Sequence, residues 1–158
     1  ARMPEALIRA GMALRLRRLT ETGLEALEWL CRRQTGGGGV FLPVATTDFG
    51  RPLAAYGLFD QQPLEAAATV DAAAAAWEAT GDHRWAHEAE RAFAWYFGDN
   101  TLGMPLATEF GGCCDGLTWA GPNENQGAES VLSLQLAAVT IDRLTGAGGL
   151  RVSSAGDL

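Results

Sequence analysis

The stretch PLEAAATVDAAAAAWEATGDHRWAHEAERAFAWYFG, Pro63 to Gly98, decides the fold. Proline fits the first position of a helix, where its missing N–H would have no partner, so Pro63 reads as a start. From there Ala66, Ala67, Val70, Ala73, Ala74 and Trp77 recur at three- and four-residue steps, which predicts a helix over 63–80. Its small residues allow neighbours to approach closely on more than one face. Gly81 stops this helix, and Asp82 is a strong N-cap for the next. That second helix carries Trp85, Ala89, Ala92, Phe93, Tyr96 and Phe97 before Gly98 ends it. Two helices separated by so short a turn form an antiparallel hairpin.

Working upstream, Leu7, Met12 and Leu16, then Leu24, Leu27, Leu30 and Cys31, keep the helical period. They predict helices over 4–19 and 21–34, split near Thr20–Gly23. Four glycines, Gly36 to Gly39, end the second of these. Residues 40–59 are irregular, broken by Pro43, Gly50, Pro52 and Gly57, with a brief extended piece expected at Val40–Leu42. At about 25 residues this connection exceeds the ordinary length, and loops of that size tend to be functional or mobile. Downstream, a second long loop covers 99–122. Asn123 or Asn125 then caps a last helix reaching about Leu144, with Ala128, Val131, Leu132, Leu134, Leu136 and Val139 as its apolar residues.

The fold class that results is all-α: antiparallel helical hairpins in a partial (α/α) toroid, about five main helices and two long loops. Alternate helices in such an array run parallel, so the loops before Pro63 and before Asn125 are expected on one rim. Residues 1–145 read as a single helical-hairpin domain and 146–158 as a flexible tail.

The 158 residues, 47% of them hydrophobic, suit one domain with a usable core. With 12 basic and 19 acidic residues the net charge is −7, and no basic stripe exists to displace counterions from a polyanion. Nucleic acid is therefore excluded as a partner. No run approaches the roughly 20 apolar residues of a membrane span, and Arg9, Arg15, Arg17 and Arg18 interrupt any secretory signal. Cys31, Cys113 and Cys114 make no disulfide framework or zinc spacing. Cys31 reads as a small buried hydrophobe. A reduced cytoplasmic protein without metal or cofactor is the expectation. The start at Ala1, with no initiator methionine, reads as a trimmed chain or a piece of a longer polypeptide.

Chemistry concentrates in two loops: FDQQPLEA, Phe59 to Ala66, and GGCCDGLTWAGPNENQGAES, Gly111 to Ser130. Both gather carboxylates, amides and aromatics just before helix starts, where backbone N–H groups are free. Glycoside hydrolysis needs two carboxyl groups about 5–5.5 Å apart for retention or about 6.5–9.5 Å for inversion. One carboxylate from each loop, Asp60 or Glu65 with Asp115 or Glu124, gives the candidate catalytic pairs. Gln61, Gln62, Asn123, Asn125 and Gln126 offer paired donors and acceptors of the kind sugar hydroxyls require, and Glu129 lies beside them. Trp119 supplies an aromatic face for a sugar ring, as do Tyr56, Phe59 and Phe110.

Each group also has a plainer reading. Glu65 favours a positive helix end by about 0.3–1 kcal/mol, Asp60 caps the turn, and one of the asparagines caps the last helix. Caps leave the surplus amides unexplained. Trp77, Trp85 and Trp95 sit at helical spacing and read as core. His83 and His87 are four apart but lack a third ligand, so a solvated face is the better account. Cys113 and Cys114 have no visible partner to lower their pKa.

FDQQPLEAAATVDAAAAAWEATGD, AFAWYFGDN, GGCCDGL and NENQGAESVLSLQLA together resemble the C-terminal helical region of bacterial glycosyltransferase-like proteins. That region is similar to the six-hairpin (α/α)6 toroids of carbohydrate-active enzymes. The resemblance covers about Leu24 to Leu144 and implies a sugar or oligosaccharide ligand, with acid/base chemistry at a glycosidic bond if the chain is catalytic. A six-hairpin toroid needs roughly twice as many helices, and no alternating β/α nucleotide-sugar domain is present. The expectation is half a toroid, completed by the rest of a longer chain or by homo-oligomerisation. The rival reading is a non-catalytic structural or oligomerisation module whose polar loops brace the hairpins. A sugar epimerase is a third reading, weakened by the shortage of histidines.

Overall fold

A computed structural model describes residues 1–45 and 57–147. Tyr56 and nearly all of the expected tail lie outside the described residues. The chain is mostly helical. Five helices, α1 (Arg2–Leu14), α2 (Arg17–Arg33), α3 (Pro63–Thr80), α4 (His83–Ala94) and α5 (Ala128–Gly146), carry the described structure, and α4 runs on as a 3-10 turn, Trp95–Phe97. A two-stranded antiparallel ribbon, β1 (Leu117–Thr118) with β2 (Gly121–Pro122), is the one named sheet among the described residues. Among those residues no helix is long and apolar enough to cross a membrane.

α3 is the axis of the molecule. Pro63 opens it, Gly81 closes it in the left-handed conformation with its N–H donating to Trp77 O, and all four other helices touch it. Ala66, Ala67, Ala68, Thr69, Val70 and Ala72 through Ala76 are all buried. A helix buried on every side needs side chains small enough for several neighbours, and alanine meets that need without loss of helix propensity. Asp82 caps α4 as its sequence predicts, accepting from Arg84 N at 3.0 Å.

Two apolar clusters flank α3. One gathers Phe41, Val70, Trp95, Tyr96, Leu106, Leu117 and Leu134, and the other Ile8, Leu27, Cys31, Ala72, Ala75, Ala76 and Trp85; Trp77 packs against both. Polar ties cross the same axis. Asp71 of α3 receives Arg2 of α1 at 2.7 Å and the Thr140 hydroxyl of α5 at 2.8 Å. Thr69 donates to buried Gln34 at the end of α2, whose carbonyl takes Arg91 of α4 at 3.0 Å. The expected extended piece reduces to a single bridge between Thr35 and Phe41, closing over the glycine turn.

The α1–α2 boundary differs from expectation. The turn falls at Arg15–Leu16, where Arg15 takes φ 55°, Leu16 N donates to Gly11 O at 2.8 Å and Arg15 N donates to Met12 O at 3.3 Å. Thr20 to Gly23 is helical throughout. Gly23 is a contact point, not a breaker, and Gly11 is a second contact point. A Cβ at Gly23 would stand 2.8 Å from Ile8 Cγ1 and 2.9 Å from Ile8 N, and one at Gly11 would stand 2.5 Å from Thr20 N. Removing side chains at these two places lets α1 and α2 touch backbone to backbone.

Candidate functional site

The loop before α3 is built around Gln61. Its side chain is fully buried, and both its N–H groups and its carbonyl oxygen have partners. Nε2 donates to Leu58 O at 2.7 Å and to Thr101 Oγ1 at 2.8 Å, while Oε1 accepts from Trp95 Nε1 at 2.8 Å. Its backbone pairs with Leu117 in both directions, at 3.0 and 2.9 Å. The two polar loops therefore do meet, through this bridge. Gly116 permits the approach: a Cβ there would lie 2.8 Å from Gln61 O and 3.2 Å from Gln62 Nε2.

The second loop is built around Asp115. Oδ1 accepts from Gly127 N at 2.6 Å and from Ser130 Oγ at 2.7 Å, and Oδ2 accepts from Asn125 Nδ2. Its own N–H donates to Asn125 O at 2.8 Å. The Ser130 hydroxyl first, then the Gly127 N–H and the Asn125 amide, hold the carboxyl below its ordinary pKa. Asp115 is the N-terminal cap of α5, reached from twelve residues upstream. This corrects the expectation that Asn123 or Asn125 caps the helix: α5 starts at Ala128 after Gly127, with no local side-chain cap. Asn123 Oδ1 accepts from Asn125 N at 3.1 Å, so both asparagines shape the approach instead.

The remaining candidates are spread over the loop surface. Asp60 and Gln62 are half-buried and Gln62 precedes Pro63 as the N-cap position without a side-chain cap bond. Glu65 sits half-buried in the first turn of α3. Glu124 is exposed and close enough to Cys114 to raise that thiol's pKa, after the larger effect of burial. The exposed Gln126 carbonyl lies over Gly112, and Glu129 is exposed on the first turn of α5. Trp119 is 80% exposed at the tip of the β1–β2 ribbon, a turn fixed by Thr118 Oγ1 donating to Gly121 O at 2.8 Å. Phe110 is exposed too, whereas Phe59 packs on the core.

Chemically, the arrangement divides in two. Asp115 and Gln61 are committed to the fold. A carboxyl held below its ordinary pKa by three donors is poorly suited to act as a general acid, which needs a raised pKa. Burial, then Cys114 and Asp115, push the Cys113 thiol up to about 12, which leaves it a protonated, poor nucleophile. No group of three or more metal-ligating side chains stands together among the described residues. Asp60, Gln62, Glu65, Trp119, Asn123, Glu124, Asn125, Gln126 and Glu129 are the candidates that keep access to solvent.

The sequence reading missed three partners of these nodes: Thr101, the Trp95 indole and Ser130. It also missed Asn100, whose buried amide donates to Trp95 O at 2.9 Å and Met104 O at 2.8 Å and so shapes the loop that carries Thr101. The run Gly98-Asp99-Asn100 was a usable signal, because asparagine after a helix-ending glycine commonly braces its own turn. A small, mostly helical unit with two interlocked loops is thus the class of protein in hand. Compared with known families and curated proteins, the chain matches none of them.

Proposed function

We propose that this chain is a non-catalytic helical assembly module in which the two polar loops act as hydrogen-bonded braces. One observation carries the reading: Gln61 and Asp115, the central polar groups of the two loops, direct their hydrogen bonds inward. A ligand site would leave such groups pointing at empty space, with donors and acceptors waiting for a partner. Free, buried Cys31, Cys113 and Cys114 support a reducing compartment such as the cytoplasm.

Carbohydrate recognition in a toroid-like helical array is the second reading. Rigidly presented Trp119 favours it, because an exposed indole on a fixed turn can stack on the apolar face of a sugar. Its chemistry would fall to Asp60, Glu65 and Glu124, with Gln62 and Asn123 as binding groups. The two readings separate in one experiment. Asp60→Asn, Glu65→Gln, Asp115→Asn and Glu124→Gln are made singly, then melting temperature, oligosaccharide binding and glycoside turnover are measured. The brace reading expects Asp115→Asn alone to lower the melting temperature, with no sugar bound by any protein. Turnover by the parent chain that any of these variants abolishes without thermal loss overturns it.

A further inference from the structure

α5 carries apolar residues on two sides. Its buried side is made of Ser130, Ser133, Leu134, Ala137, Thr140 and Leu144, three of them hydroxyl residues. Three further large apolar side chains, Leu132, Leu136 and Val139, are 58%, 56% and 56% exposed. At 100° per residue the three centre roughly 125° round the helix from the buried side, with Leu136 nearest its edge. A helix that presents apolar residues on both sides is expected to be covered on both.

The stripe has ends as well as a middle. Glu129, Leu132, Leu136, Val139 and Arg143 follow steps of three and four along the whole helix, all exposed, over about 21 Å. Among the described residues Glu129 has no side-chain partner, and Arg143 makes one side-chain hydrogen bond, to Thr140 Oγ1 at 3.1 Å. A negative charge at one end and a positive charge at the other make the stripe complementary to itself when reversed. A parallel copy would oppose like charges. A two-fold axis near Leu136 instead stacks the three apolar side chains against their equivalents and sets each Glu129 opposite Arg143 of the second copy, twice.

We infer that the exposed face of α5 is an antiparallel, two-fold self-association surface, its occupant a second copy of this chain. The inference rests on the assembly reading above and names its partner. Such isologous pairing is the commonest closed symmetry of soluble oligomers, and it requires one patch to fit itself.

Sedimentation equilibrium across roughly 1–200 µM tests it, the micromolar range being where a small interface assembles. Expected is a concentration-dependent dimer at twice the 16.7 kDa of one chain. Leu136→Glu should raise the dissociation constant at least tenfold while leaving the far-ultraviolet circular dichroism unchanged. Glu129→Arg and Arg143→Glu should each weaken the homodimer, and a mixture of the two variants should regain it as a heterodimer. A monomer throughout the range overturns the inference, including the case where another segment of a longer polypeptide covers this face. So does a dimer indifferent to Leu136→Glu, or one that Glu129→Arg leaves intact. None of these results touches the brace reading, which melting temperatures judge separately.

Discussion

Gln61 and Asp115 hold the two loops in the same manner and by opposite physics. Gln61 is a neutral amide in a dry place, satisfied by a carbonyl, a hydroxyl and an indole. Asp115 is a charge near water, at the positive end of α5, satisfied by a hydroxyl, a backbone N–H and an amide. The neutral brace derives its strength from burial, since any partner left behind is costly to leave unmet. The charged brace derives its strength from ionisation and from the helix end. One should ignore pH and the other should follow it.

The largest break in this comparison is Gln61→Ala. It removes three side-chain bonds and strands the fully buried Trp95 indole N–H, a loss of about 2–4 kcal/mol. A thermal melt should fall by roughly 5–15 °C and by the same amount at pH 4 and pH 8. Gly23→Ala comes next, because its methyl meets Ile8 Cγ1 and Ile8 N within 3 Å. Overpacking of this kind costs about 1–3 kcal/mol, read as a lowered denaturant midpoint, and it should leave the loop ties untouched.

Asp115→Asn sharpens the contrast. Because the folded carboxyl titrates below its unfolded value, its contribution is complete above about pH 4 and disappears as acid carries the pH through the folded value. The variant should therefore melt below the parent at pH 7, and the gap should close toward pH 2. A gap of constant size from pH 7 to pH 2 would falsify the charged-brace account. The smallest effect belongs to Gln62→Ala, whose amide makes no side-chain bond among the described residues; its melting temperature should stay within the noise of surface substitutions, about 0.5 kcal/mol.

Legibility in the sequence followed locality. The limits of α3 and α4 could be read because Pro63, Gly81, Asp82 and Gly98 each act on the backbone within a residue or two. Gly23 misled for the same reason: in sequence a glycine reads as a break, whereas here it clears room for the preceding helix. The true turn at Arg15–Leu16 contains neither glycine nor proline. The start of α5 was misplaced because its capping carboxylate comes from Asp115, and local capping rules cannot see that far. Surplus amides did mark both loops as unusual. Whether an amide points inward or outward depends on tertiary neighbours, so Gln61 and Gln62 looked alike in sequence and differ completely in the fold.

Asp71 has a consequence for how the molecule opens. Its two oxygens join Arg2 of the first helix to Thr140 of the last across the alanine axis. α1 cannot lift away without disturbing a group that α5 also uses, and Trp77 packs on both apolar clusters at once. The amides of α1 and α5 should then exchange with solvent through one shared opening event, with hydrogen-exchange protection falling together in an Asp71→Ala variant and not helix by helix.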